Sequence, residues 1–248
     1  MPSLDAQSRQ LQPSSAKSLL KSLIPLAVGV VIAIVLQTLI RPLLGDYASK
    51  IALDVTINIV LAVSLTMVNG FTGQFSIGHA AFMAVGAYTA ACIVYYGSFR
   101  LFGDSAVHGG LLSTMQTERD PAPPFLTLAD GFFALAILAG GAVAALCGYI
   151  VGLPSLRLKG DYLAIVTLGF GEIVRVLLTL SDEVPYDTDT IAALPAYKYP
   201  LYLGGGLGFS GLPFYTSLFW GSLLACITLT VAYRLKMSSQ GRAFHFLR

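Results

Sequence analysis

"NGFTGQFSIGHAAFMAVGAYTAA", residues 69–91, begins as a glycine-rich polar turn and becomes an apolar segment that keeps its glycines and one histidine. Asn69-Gly70 and Thr72-Gly73 are turn chemistry, and apolar periodicity resumes only at Ile77. Such a connection leaves several backbone N–H and C=O groups outside any helix. Hydrocarbon offers them no water, so irregular backbone at membrane depth must be buried in protein or line a water-filled cavity. Interrupted helices of this kind mark transport pathways. Whether the stretch is such an interruption or a soluble loop depends on the sequence around it.

That sequence is apolar. Of 248 residues, 55% are hydrophobic and 11% charged, and the mean hydropathy is +0.73. Soluble domains carry about 25% charge, so this chain lacks the polar surface to cover a globule in water. It reads as an integral membrane protein. A formal net charge of +2 without a basic run argues against nucleic-acid binding. Cys92, Cys147 and Cys226 lie inside apolar stretches without metal-site spacing and read as small packing residues.

A spanning helix needs about 20 mainly apolar residues. Six stretches qualify: 23–40, 51–68, 76–96, 130–153, 161–180 and 215–235. The first follows Lys17 and Lys21, as a signal peptide would. It is long for a signal core, however, and ends in Ile40-Arg41-Pro42 with no small-residue cleavage pattern, so it reads as a retained signal-anchor. The expected fold is all-α, a polytopic transmembrane helical bundle of about six spans. Residues 1–22 form a Ser/Gln-rich cytoplasmic tail and 23–248 one transmembrane domain. Lys and Arg set the orientation. One side holds Arg9, Lys17 and Lys21, then Arg157 and Lys159, then Arg234, Lys236, Arg242 and Arg248. The other holds Arg41, Lys50, Arg100, Arg119 and Lys198, mostly in long loops, with the acids Asp182, Glu183, Asp187 and Asp189. This places both termini in the cytoplasm.

Helices in lipid associate through small residues and occasional hydrogen bonds. The fourth span offers Ala136, Gly140, Ala144, Gly148 and Gly152 at every fourth position, the third Ser76, Ala80 and Ala84, and the fifth Gly160, Ala164, Gly169 and Gly171. Charge at depth is rarer. Glu172 and Arg175 share a face at i, i+3 and either pin neighbouring helices or line a substrate path. Asp54 and Asn58 share a face at i, i+4, near the end of their span. "GLGFSG", 206–211, matches a dinucleotide fingerprint but lies in a loop ending at Leu212-Pro213, outside the strand–helix context that gives that motif meaning. Ser76 does not fit a nucleophile elbow, and His79 lacks a second ligand at metal spacing, so it reads as a packing or helix-end residue. No Walker A pattern occurs, so any ATP-driven step requires another chain. The sequence points to no cofactor, metal or catalytic constellation.

Residues 69–91 resemble the signature of the branched-chain amino acid ABC importer permeases of the LivM type. "LRLKGDYLAIVTLGFGEIVRV", 156–176, resembles that family's second recognisable block, and "GGGLGFSGLP", 204–213, its Gly-rich outer loop. With matching hydropathy the resemblance covers about residues 23 to 242. It implies an ABC importer permease fold, seated in a bacterial inner membrane among lipid. It also implies a second, LivH-type permease, two cytoplasmic ABC ATPases and an extracytoplasmic substrate-binding protein as partners. By resemblance the translocation core takes in Gly70, Gly73, Gln74, Ser76, Gly78, His79, Gly160, Asp161, Thr167, Gly169, Gly171, Glu172 and Arg175, and Gly241-Arg242 begin the segment that couples to the ATPases. "SSQGRAFHFLR" then departs from the family pattern at Phe244, and we expect a C-terminally truncated copy, a frameshift or a fragment. A urea, amide or sugar permease of the same superfamily and a non-functional truncated copy are the alternatives. A gradient-driven transporter would need more paired charges and an internal repeat; an intramembrane enzyme would need a nucleophile and base.

Overall fold

Helices account for nearly all of the regular structure in the computed structural model, which describes residues 15–71, 73, 76–104, 106–113, 124–155 and 161–238. In chain order they are α1 (Ser15–Val35), α2 (Arg41–Thr66), α3 (His79–Phe102), α4 (Leu128–Ser155), α5 (Asp161–Thr179), the short α6 (Thr188–Ala193) and α7 (Leu218–Met237). Single π-helical turns at Leu36–Ile40 and Met67–Phe71 follow α1 and α2, and α2 kinks at Gly45. Among the described residues, five helical segments are long and apolar enough to cross a membrane: Tyr47–Gly70, His79–Phe102, Leu128–Pro154, Tyr162–Thr179 and Leu218–Met237. The apolar part of the first helix, Ile24–Leu39, is shorter. At 1.5 Å per residue it reaches about 24 Å, against a hydrocarbon thickness of about 30 Å. α1 itself begins at Ser15, so the last part of the expected tail is helical. Ala16, Lys17, Leu19, Leu20 and Lys21 are all strong helix formers that extend the helix past its apolar run.

The described residues group into two compact units, 15–64 with 218–238 and 65–217. In the first, α1 lies against α7. A Cβ on Gly29 would come within 2.7 Å of the Cys226 Cβ, so the missing side chain sets how closely the two helices approach. Gln37 Oε1, in the π-helical turn after α1, accepts the Phe219 N–H at 3.3 Å and satisfies one first-turn donor of α7. Gly221 of α7 makes a similar approach to Leu53 and Thr56 of α2.

In the second unit α3 has α4 on one side and α5 on another. Its seam with α4 is built from small residues: a Cβ on Gly86 would lie 3.3 Å from the Gly140 carbonyl oxygen, and one on Gly140 would lie 3.1 Å from the Ala90 Cβ. Ala136 is fully buried, while a Cβ on Gly148 would meet only Phe82, at 3.9 Å. The stripe read from the fourth span is thus a packing face, tight over Ala136–Ala144. Its counterpart is Gly86 and Ala90; the Ser76–Ala80–Ala84 row faces elsewhere. The remaining faces of α4 and α5 expose Leu135, Leu138, Ile150, Ile165, Ile173 and Leu177. Water does not stabilise so much contiguous apolar surface, and lipid or partner protein does.

Candidate functional site

The interruption between the second and third spans is real. After the π-helical turn at Met67–Phe71, Gly73 takes a left-handed φ of +67°, and helical geometry returns only at His79. Two backbone donors at its end, those of Ser76 and Ile77, are taken up by protein. Asn69 Oδ1 accepts the Ser76 N–H at 3.3 Å, and the Thr167 hydroxyl of α5 accepts the Ile77 N–H at 3.2 Å while donating to the Ala164 carbonyl at 3.0 Å. Gly78 sits directly on the Thr167 backbone, where any Cβ would collide with the carbonyl oxygen. One turn along α5, Gly171 faces Ala81 and Gly78 at about 4 Å, and Phe170 stacks on Phe82 with ring centroids 4.9 Å apart. A helix start with no side-chain cap of its own is therefore held by a hydroxyl and two glycines, which is how irregular backbone can exist away from water.

Beside this junction a cleft of about 690 Å³ opens between α3 and α5. Ile77, Gly78, Ala80, Ala81, Ala84 and Tyr88 form one wall, and Leu168, Gly171, Glu172, Arg175 and Leu178 the other. Gly205–Gly208 of the long loop before α7 completes the lining. That loop depends on glycine: Gly204, Gly205 and Gly208 all have positive φ, and the Gly205 N–H donates to Ser181 Oγ at 3.1 Å. Glu172 and Arg175 are the charged side chains of the cleft. Arg175 Nε donates to both carboxylate oxygens, at 3.0 and 3.1 Å, and Nη2 approaches Oε1 as well. The pair neutralises itself, yet the side chains remain 57% and 67% exposed. Charges this far along a spanning helix face water or another protein rather than lipid.

The loop over the cleft is moored to α3 by two tyrosines that the sequence reading did not single out. Tyr95 donates its hydroxyl to the Pro185 carbonyl at 2.8 Å and Tyr96 to the Tyr202 carbonyl at 2.9 Å. Both are almost wholly buried, in a cluster with Val184 and Ile191. Tyr199 stacks flat on Tyr96 with centroids 4.1 Å apart and accepts from Arg100 Nε at 2.7 Å. The only sequence signal was an aromatic pair at the end of a span, where tyrosine is common for other reasons.

Of the expected core residues, the structure brings Ser76, Gly78, Thr167 and Gly171 to the junction and Glu172 and Arg175 to the adjoining cleft. Gly70 lies in the π-helical turn, Gly73 is exposed, and His79 opens α3 half-buried. A Cβ on Gly169 would meet nothing within 4 Å, so this glycine does not join the junction. Gln74, Gly160, the side chain of Asp161, Gly241 and Arg242 lie outside the described residues.

The sequence model of the branched-chain amino acid transport system / permease component family matches residues 47–248. The chain belongs to this permease family. Among its relatives, the high-affinity branched-chain amino acid transport system permease protein LivM of Salmonella typhimurium is 37% identical over 145 residues, which is 58% of this chain and 27% of that protein. LivM of Escherichia coli shows the same identity over the same length. The chain thus spans about a quarter of the length of the curated relatives it matches. No solved structure matches it. The family gives the interrupted span and its charged cleft a context, that of a membrane transport permease.

Proposed function

We propose that the chain is a transmembrane permease subunit of an ABC importer for branched-chain amino acids and contributes half of a translocation pathway, a LivH-type permease supplying the other half. Two cytoplasmic ATPases energise it and an extracytoplasmic binding protein delivers the substrate. The setting is a bacterial inner membrane with both termini in the cytoplasm, as the Lys and Arg distribution favours. One observation carries the reading: a self-neutralised but exposed ion pair, Glu172–Arg175, faces a cleft beside an interrupted helix start. An ion pair left open in a spanning segment suits a surface that meets water or a partner permease during transport.

In this mechanism the chain performs no bond chemistry. ATP-driven closure of the partner subunits would tilt the helices, and α3 and α5 would move about the Thr167–Gly78 contact to open the cleft to one side and then the other. The test is uptake of labelled leucine in a strain lacking its own LivM-type permease, supplied with this chain and the four partners. Uptake that requires this chain and falls on Glu172→Gln supports the proposal. Uptake that is equal without the chain overturns it.

A further inference from the structure

A second groove, of about 620 Å³, runs along the α3–α5 seam beyond the charged cleft. Val85, Cys92, Ile93, Tyr96, Leu177 and Leu203 give it an almost wholly apolar lining, and it ends at Arg100 in the last turn of α3. We propose that this groove is a lipid site that holds one acyl chain of an anionic glycerophospholipid, with the lipid phosphate on Arg100.

Two observations support this occupant. The first is length. From Val85 to Arg100 the groove follows α3 for about 22 Å at 1.5 Å per residue. One leaflet supplies about 15 Å of hydrocarbon and a few ångströms more of headgroup region, so the groove matches one lipid standing in one leaflet. The second is charge. Arg100 donates Nε–H to the Tyr199 hydroxyl at 2.7 Å and an Nη2–H to the Leu194 carbonyl at 3.5 Å, and it has no carboxylate partner among the described residues. Its guanidinium is held by two neutral groups and lies 5.5 Å from the Tyr199 ring centroid. That fixes a planar fork of donors at the end of an oily channel, which is the geometry a phosphate recognises.

The test is native mass spectrometry of the full chain in detergent, titrated with dioleoylphosphatidylglycerol and, separately, with dioleoylphosphatidylcholine. The expected result is one phosphatidylglycerol bound in preference to phosphatidylcholine. Arg100→Gln weakens phosphatidylglycerol by about fivefold, the contribution of one basic side chain at a membrane surface, and narrows its preference over phosphatidylcholine, whose phosphate is offset by its own choline cation. Thr89→Trp, which fills the groove from its α3 wall, removes both. Millimolar inorganic phosphate does not displace the lipid, because the acyl chain holds it. Arg100 is exposed, and helical circular dichroism identical to wild type shows that each variant is folded. Equal binding of the two lipids, or variants that bind as wild type, overturns the proposal. So does displacement by inorganic phosphate, which would make Arg100 a simple anion site. Loss of the lipid once a second permease is bound would make the groove a protein interface and overturn it as well.

Discussion

The two seams of α3 make opposite use of small residues. Against α4, Gly86 and Ala90 close on Gly140 and Ala144 until the two backbones are nearly in contact. Against α5, Gly78 closes on the Thr167 backbone near the start of α3, Gly171 and Phe170 pack there on Ala81 and Phe82, and further along α3 the helices part around two successive open spaces. The first seam is closed along its length. The second is pinned at one end with room further along, the arrangement expected where helices move.

Substitutions separate the two seams. Gly140→Leu should have the largest effect, because the new side chain meets the Gly86 backbone, which cannot rotate away. Overpacking of this kind costs about 1–3 kcal/mol, which lowers the melting temperature in detergent by roughly 3–10 °C for a chain of this length. Gly169→Leu, where no atom lies nearby, is the control and should leave the melting temperature unchanged. Equal melting for the two variants would show that the α4 seam is not tight.

Thr167→Val should come next. It leaves the Ile77 N–H without its acceptor, at a cost of about 1–3 kcal/mol. The change should appear locally, as faster hydrogen exchange at residues 76–81 with α4 unaffected. Loosening throughout α3 would mean that the pinned contact is not a separate element. Tyr96→Phe is milder. It removes one hydroxyl bond to the Tyr202 carbonyl, about 1 kcal/mol, and limited proteolysis should then cut faster between residues 195 and 210. Glu172→Gln should have the smallest effect on stability. The pair is exposed, so the melting temperature stays put while leucine uptake falls. A stability loss without a transport loss would recast the pair as a structural clamp.

Much of this was legible in the residues themselves. Asn69-Gly70 and Thr72-Gly73, two turn dipeptides between apolar runs in so apolar a chain, point to a broken helix, although Asn69 and Gly70 themselves fall within the π-helical turn and the break comes after it. The Ala136–Ala144 stripe follows from helical period, and the Glu172–Arg175 pair from its i, i+3 spacing. Periodicity identifies a face, however, and does not say what lies opposite it. Gly86 and Ala90 were hidden for that reason, and the Ser76–Ala80–Ala84 row, equally small in its side chains, supplies a cleft wall through Ala80 and Ala84. Tyr95 and Tyr96 were hidden more deeply, since their partners are main-chain carbonyls 90 and 106 positions away and carry no side-chain signature. The family match extends over most of the chain, but it names a system and does not identify these contacts.

The two tyrosine hydroxyls have a mechanical consequence. They tie the stretch around 185–202 to a rod of 24 residues, about 36 Å long, whose opposite tip rests on Thr167. A tug on the loop is therefore delivered at the far end of α3 with little lost to bending, so that whatever seats itself above is felt below.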